Sequence, residues 1–213
     1  KDPKRKGEYR DATLADARPL GYLPSVTTVL ALLAKPGLVR WQVEQGIKAA
    51  LDWPIEPLVY PAEVADIDGM VQDIYHKSEE YLRYTQDFGT AVHWWINHKL
   101  QAVEVQELPP IIPGAEEVAD GLLEWFPVNG FEWTHTEKRF ADVQLGVAGT
   151  VDLLGSRHGK AAIGDAKTQE PPLTPYLEHG LQLSGYSLGL GLAPDVERWS
   201  FIANRANPGE VKA

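Results

Sequence analysis

The chain has 213 residues, 44% of them hydrophobic and 23% charged, a balance that suits one large globular domain or a core with a helical appendage and excludes a disordered chain. It contains no cysteine, which removes disulfides, thiolate zinc sites, iron–sulfur clusters and a cysteine nucleophile together; no apolar run approaches the roughly 18–20 residues of a membrane helix. Its 20 basic and 30 acidic residues leave a net charge of −10, which leans against holding duplex DNA by phosphate neutralisation alone, although a local patch can oppose the global sign.

The opening Lys1-Asp2-Pro3-Lys4-Arg5-Lys6 carries neither a methionine nor an apolar stretch behind it, and reads as an interior or trimmed start, not a signal peptide. Residues 1–20 are expected to be a flexible segment and 21–213 a single domain, mostly helical over 21–126 and sheet-bearing over 127–205. In Pro24-Ser25-Val26-Thr27-Thr28-Val29-Leu30, Ser25 is a natural N-cap for a short helix. Lys35-Pro36-Gly37 breaks it, and a second helix is predicted over 38–51, with Val39, Val43, Ile47 and Ala50 at helical spacing. Prolines 54, 57 and 61 enforce a loop, followed by a helix over 61–84. Another helix, capped by Asp87 or Thr90, then carries His93, Trp94, Trp95 and Lys99; a Pro-rich turn over 108–113 separates it from a helix over 115–126.

After Gly130 the pattern changes. Residues 131–140 have the β-branched and aromatic content of a strand, and two more strands are predicted over 147–154 and 161–168, joined by the polar turn 155–160 as an antiparallel hairpin. A helix over 175–190 and a last strand over 196–203 follow; a strand–helix–strand ending places that strand parallel to its neighbour through a right-handed crossover.

The chemistry-bearing residues gather in this half. In Asp165-Ala166-Lys167 the acid and the amine share one side of a strand, because side chains alternate faces. Asp152 stands in the preceding apolar strand, and hairpin pairing brings it beside Asp165. Two carboxylates at one spot repel unless a proton or cation sits between them, and oxygen ligands suit magnesium or manganese. Taken alone, an Asp-x-Lys pair on a strand is more often a surface ion pair, and His93 more often a structural histidine. Gln182 and Tyr186, four apart on the next helix, share a face.

In this order, GTAVH ending at His93, GTVD ending at Asp152, DAK at 165–167 and QLSGY at 182–186 resemble the PD-(D/E)xK nuclease superfamily, in its RecB-like exonuclease branch. The early PSVTTVL segment and the LVRW around Trp41 are similar to the N-terminal helices of phage and mitochondrial-genome-maintenance exonucleases of that branch. The resemblance implies an α/β fold: a restriction-endonuclease-like core with a small mixed β-sheet flanked by helices, a helical N-terminal half, and a site at the sheet's edge against the helix bearing His93. It implies a Mg2+ or Mn2+ ion held by Asp152, Asp165, the backbone carbonyl of Ala166 and His93, with Glu137 as an outer metal ligand or an acid behind the ligands, and no iron–sulfur cluster. Lys167 would orient and help deprotonate the attacking water; Gln182 would hold Lys167 or the phosphate, and Tyr186 would support the site.

The implied activity is a divalent-metal-dependent DNA exonuclease on single strands or free ends, in the cytoplasm of a bacterial or phage-infected cell with organellar origin left open. A recombination or replication protein would be its partner, and no membrane is involved. Arg40, Lys138, Arg139, Arg157 and Lys160, with Arg198 and Arg205, are candidate phosphate contacts, and Trp41, Trp94 and Trp95 candidate base-stacking platforms, although a core role suits the tryptophans better. Rival readings are an endonuclease with the same core and a non-catalytic DNA-binding or assembly module. Two features depart from the pattern: Asp165 stands where Glu is commoner, and the four cysteines of some relatives are missing.

Overall fold

The computed structural model describes residues 21–33, 36–52, 64–101 and 111–213. The expectations for 1–20, for the loop at prolines 54, 57 and 61 and for residues 108–110 lie outside these segments. The chain divides into two compact units, one joining the residues up to Leu33 with Ala91–Ala213, the other formed by Ala34–Thr90.

In the second unit, helix α2 (Pro36–Leu51) and helix α3 (Val64–Gln101) are the described elements, and the unit boundary falls inside α3. Trp41 lies 6.2 Å from the Tyr81 ring, and Tyr81, Tyr84 and Phe88 follow one another along α3 at 6.5 and 6.0 Å. Val39, Val43, Ile47 and Leu51, at i,i+4 spacing on α2, are all more than half exposed. The sequence suggested two helices divided near residue 87, but α3 is continuous for 38 residues. Thr90, read as a cap, sits mid-helix and donates its hydroxyl to the Gln86 carbonyl four residues back; Thr85 does the same to Tyr81. Such back-bonding satisfies a threonine without ending the helix.

The first unit is built on a sheet. Helix α1 (Val26–Leu30) is capped by Ser25, whose hydroxyl accepts from the Thr28 N–H at 3.0 Å. Helix α4 (Ala115–Val128) buries Ala115, Val118, Ala119, Leu122 and Phe126, the stripe of a helix with one face on a core. Strands β1 (Phe131–Asp142), β2 (Val147–Arg157) and β3 (Lys160–Gln169), helix α5 (Leu177–Gly189), and strands β4 (Glu197–Asn204) and β5 (Val211–Lys212) follow. The strand order is β1-β2-β3-β4-β5, with β3 and β4 parallel across α5 and the other pairs antiparallel. The protein is therefore α/β, with a five-stranded mixed sheet flanked by helices. The hairpin β2–β3 turns on His158 and Gly159, both at positive φ (47° and 78°), the two-residue geometry that matches strand twist. Strand β5 went unread in the sequence because two residues carry no periodicity.

Each face of the sheet has its own core. On one, α5 packs Leu183 and Tyr186 with Val26, Val151, Ile163 and Val196. A β-carbon on Gly185 would come within 2.7 Å of Val26, so the glycine sets how closely α1 approaches α5. On the other, Trp125 and Phe126 of α4 meet Phe131, Trp133 and Phe201 as a mainly edge-to-face aromatic cluster, the Phe126 and Phe201 centroids 4.9 Å apart. Gly164 makes room for it, since a β-carbon there would lie 2.6 Å from the Phe201 ring. Burying each of Leu122, Leu153, Ile163 and Phe201 contributes roughly 1.5–3 kcal/mol. No described helix is long and apolar enough to cross a membrane.

Candidate metal centre

The site forms where regular pairing stops. The β2–β3 ladder ends at Leu153 opposite Gly164, one step short of Asp152 and Asp165. Beyond it the Asp152 side chain takes over the role of a strand partner: its Oδ2 accepts the Ala166 N–H at 3.0 Å. On β1, Thr136 pairs with Leu153 and Lys138 with Val151, while Glu137 between them stands at φ 50°. A left-handed backbone at a residue other than Gly, Asn or Asp costs on the order of 1–3 kcal/mol and is kept where surrounding structure imposes it. Here the imposed turn puts the Glu137 carboxylate beside Asp152 and His93.

The α3 end of the site is held by a row of side chains at i, i+4 and i+8. Asn97 accepts the Thr136 hydroxyl hydrogen bond, and Gln101 donates to the Thr136 hydroxyl and carbonyl. This clamps His93, one turn earlier, against β1–β3. Its Nε2 donates to the Ala166 carbonyl at 2.8 Å, which fixes the tautomer and leaves Nδ1 3.4 Å from Asp152 Oδ2 and 3.8 Å from Glu137 Oε1. One atom each of His93, Glu137 and Asp152 lie within 4.8 Å of one another, a nitrogen and two carboxylate oxygens placed to take one ion. Ala166 is the hub, its N–H on Asp152 and its carbonyl on His93.

Asp165 belongs to a second, adjoining group. It is fully buried, and the Lys167 Nζ approaches both oxygens, at 2.9 and 2.7 Å. The Gln182 amide donates to Asp165 Oδ1 at 2.9 Å and to the Tyr186 hydroxyl at 2.7 Å. Asp165 Oδ2 touches the ammonium without hydrogen-bond geometry and has no other partner among the described residues. A buried carboxylate oxygen so poorly satisfied fits a position that a further cation or a polar ligand would complete.

The electrostatics single out the first group. Burial disfavours the charged imidazole of His93, but the Glu137 contact and the Asp152 charge outweigh it and push its pKa to about 9. Burial pushes Asp152 up to about 7, the His93 charge offsetting part of that and the Asp165 charge adding to it. Burial also raises the Tyr186 hydroxyl, so it remains a neutral donor and acceptor. His93 and Asp152 thus hold protons that ordinary groups would release, the Asp152 carboxyl because it is buried and the imidazole because carboxylates face it and outweigh its burial.

The candidate residues thus fall into several places. His93, Asp152, Glu137 and the Ala166 backbone come together; Asp165, Lys167, Gln182 and Tyr186 form the adjoining chain. His93 and the Ala166 carbonyl, both implied as ligands, are hydrogen-bonded to each other. The site spans the first three strands of the sheet, with Glu137 on the edge strand β1, Asp152 on β2 and Ala166 on β3. Lys138 and Arg139 are exposed on β1 immediately after Glu137. Arg157 stacks its guanidinium over Trp199 at 4.7 Å and faces Glu197 at 3.8 Å, and Lys160 lies with it at the far hairpin end. Arg40 pairs with Glu44, Arg198 bonds Ser187, and Arg205 meets Glu170 at 3.4 Å, so these three arginines, like Arg157, have partners within the chain. Trp94 and Trp95 pack on each other and on His98. No family model matches the chain, and no curated protein matches it.

Proposed function

We propose that this chain is a divalent-metal-dependent phosphodiester hydrolase, a DNA exonuclease acting on single strands or free ends, built on a restriction-endonuclease-like core. One observation carries the reading: a nitrogen-and-carboxylate cluster (His93, Glu137, Asp152) is joined through the Ala166 backbone to a buried Asp165 whose carboxylate holds the Lys167 ammonium. The order of the four sequence motifs and the mixed sheet with its parallel β3–β4 crossover agree with it.

The residues divide the work. His93, Glu137 and Asp152 would hold Mg2+ or Mn2+, and the imidazole favours manganese relative to an all-oxygen shell. When bound, such an ion supplies Lewis acidity and lowers the pKa of water at the site. Asp165 holds the Lys167 side chain in place, while Gln182, tied to Tyr186, fixes Asp165 in turn. The ammonium, about a third exposed, can meet a non-bridging phosphate oxygen and stabilise the charge that grows there in the transition state. Lys138 and Arg139, exposed on β1 directly after Glu137 and without an ion-pair partner among the described residues, would guide a phosphate backbone.

The test is a digest of single-stranded oligonucleotides labelled in parallel at the 5′ and 3′ ends, with manganese, magnesium or chelator, beside a closed circular single strand. The proposal expects metal-dependent loss of the linear strands, protection of the circle, and no cleavage by Asp165→Ala. Cutting of the circle would make the chain an endonuclease. Cleavage that persists in chelator or in Asp165→Ala would refute the metal-centred mechanism.

A further inference from the structure

His179 stands on the first turn of α5, three residues before Gln182, and neither motif nor ligand set accounts for it. Its Nδ1 accepts from the Ser200 hydroxyl at 3.2 Å and faces the Tyr176 N–H at 3.5 Å, and its ring meets the Tyr176 ring edge-on. With Nδ1 used as an acceptor, the neutral ring carries its hydrogen on Nε2. That Nε2–H has no hydrogen-bond partner among the described residues.

Sheet register shows where it stands. Ser200 lies opposite Asp165 in the parallel β3–β4 pair, and neighbouring strands are about 4.8 Å apart. A ring bonded to Ser200 therefore sits one strand beyond Asp165 and Lys167, on the side away from the His93 cluster. Burial and then the nearby Lys167 charge hold the imidazole below its ordinary pKa, consistent with a neutral ring close to that ammonium. The arrangement is a donor with fixed tautomer, locked on its inner side, open on its outer side, and next to the amine.

We infer that His179 is a substrate-binding residue whose Nε2–H donates to the phosphate next to the scissile one, so that the substrate strand runs across the sheet from the His93 cluster past Lys167 to β4. The inference rests on the proposed phosphodiesterase reading and adds the direction of the strand and one of its anchors. Ser200 acts through His179 as a positioning residue.

The experiment is a chemical double-mutant cycle. Oligonucleotides carrying a single neutral methylphosphonate at successive positions beside the cleaved bond are compared in wild type, His179→Ala and His179→Gln, with thermal melting to check folding. Strand affinity is read by fluorescence anisotropy in calcium, and cleavage in manganese. A hydrogen bond to a charged group is worth about ten- to a hundredfold in affinity. His179→Ala should raise KM by about that factor with kcat little changed, and His179→Gln, whose amide nitrogen can reach the Nε2 position, should recover part of it. One methylphosphonate position should weaken wild type and leave His179→Ala indifferent. If wild type cuts DNA but the two losses simply add at every position, His179 does not touch the strand and the inference falls while the proposed function stands. A wild-type chain that neither binds nor cuts DNA overturns both.

Discussion

Raising the pH of the metal-free protein should weaken its fold through a cluster of three side chains. His93 is held at about 9 against an ordinary 6.5, so the folded protein keeps a proton that the unfolded chain releases. The stabilisation is complete below pH 6.5 and disappears as the pH rises through about 9. Asp152 acts in the same direction at lower pH: its carboxyl is raised from 3.8 to about 7, so stability falls as the pH climbs through that window too. A tenfold change in proton affinity is worth about 1.4 kcal/mol, so the His93 displacement links on the order of 3 kcal/mol, and the two effects share charges and do not add. With a urea slope of about 1–3 kcal/mol/M, the midpoint should drop by roughly 1–3 M between pH 6 and pH 10 in chelator. His93→Gln, which keeps a donor for the Ala166 carbonyl, should flatten the upper part of the profile, and Asp152→Asn, which keeps an acceptor for the Ala166 N–H, the lower part. Manganese should restore stability at pH 9 by replacing the proton with a cation. Parallel profiles for wild type and His93→Gln would refute this reasoning, because the pH dependence would then arise elsewhere.

Other outcomes follow from the same geometry. Gly185→Ala puts a β-carbon 2.7 Å from Val26 and should lower stability by about 1–3 kcal/mol, with faster hydrogen exchange in α1 as the mark of undocking. Phe201→Ala opens the aromatic core of the far face and should cost about 3–5 kcal/mol by urea denaturation. Lys167→Arg keeps a cation against buried Asp165 but alters its reach; kcat in the oligonucleotide digest should fall about 10²- to 10³-fold while the fold survives by circular dichroism.

Local chemistry made much of this arrangement readable in the sequence. Period two put Asp165 and Lys167 on one side of a strand, and they form an ion pair. Period 3.6 put Gln182 and Tyr186 on one face, and they are hydrogen-bonded. The proline and glycine punctuation located α1, α4 and the β2–β3 turn, and the strand–helix–strand ending produced the parallel pair β3–β4.

What stayed hidden depends on departures from regularity or on distant partners. Thr90 looks like a cap in sequence, and only its bond back to Gln86 inside a continuous helix shows otherwise. Glu137 entered the site through the family resemblance alone, since the left-handed φ at which its carboxylate faces His93 is invisible in sequence. Hairpin reasoning sets Asp152 beside Asp165, but the regular ladder stops at Leu153; there the Asp152 carboxylate accepts the Ala166 N–H and faces His93, while Asp165 holds Lys167. His179 had no motif to mark it, and its relevance comes from Ser200 lying opposite Asp165 across a parallel strand pair.

Calorimetric titration of manganese into the chelator-treated protein, with buffers of different ionisation enthalpy, most directly tests whether the three donors hold one cation. Binding should release protons at pH 7, because His93 and Asp152 hold protons that the ion must displace. Affinity should fall by tenfold or more in each of His93→Gln, Glu137→Gln and Asp152→Asn. Manganese binding with unchanged affinity in all three variants, or with no proton released, would contradict the account.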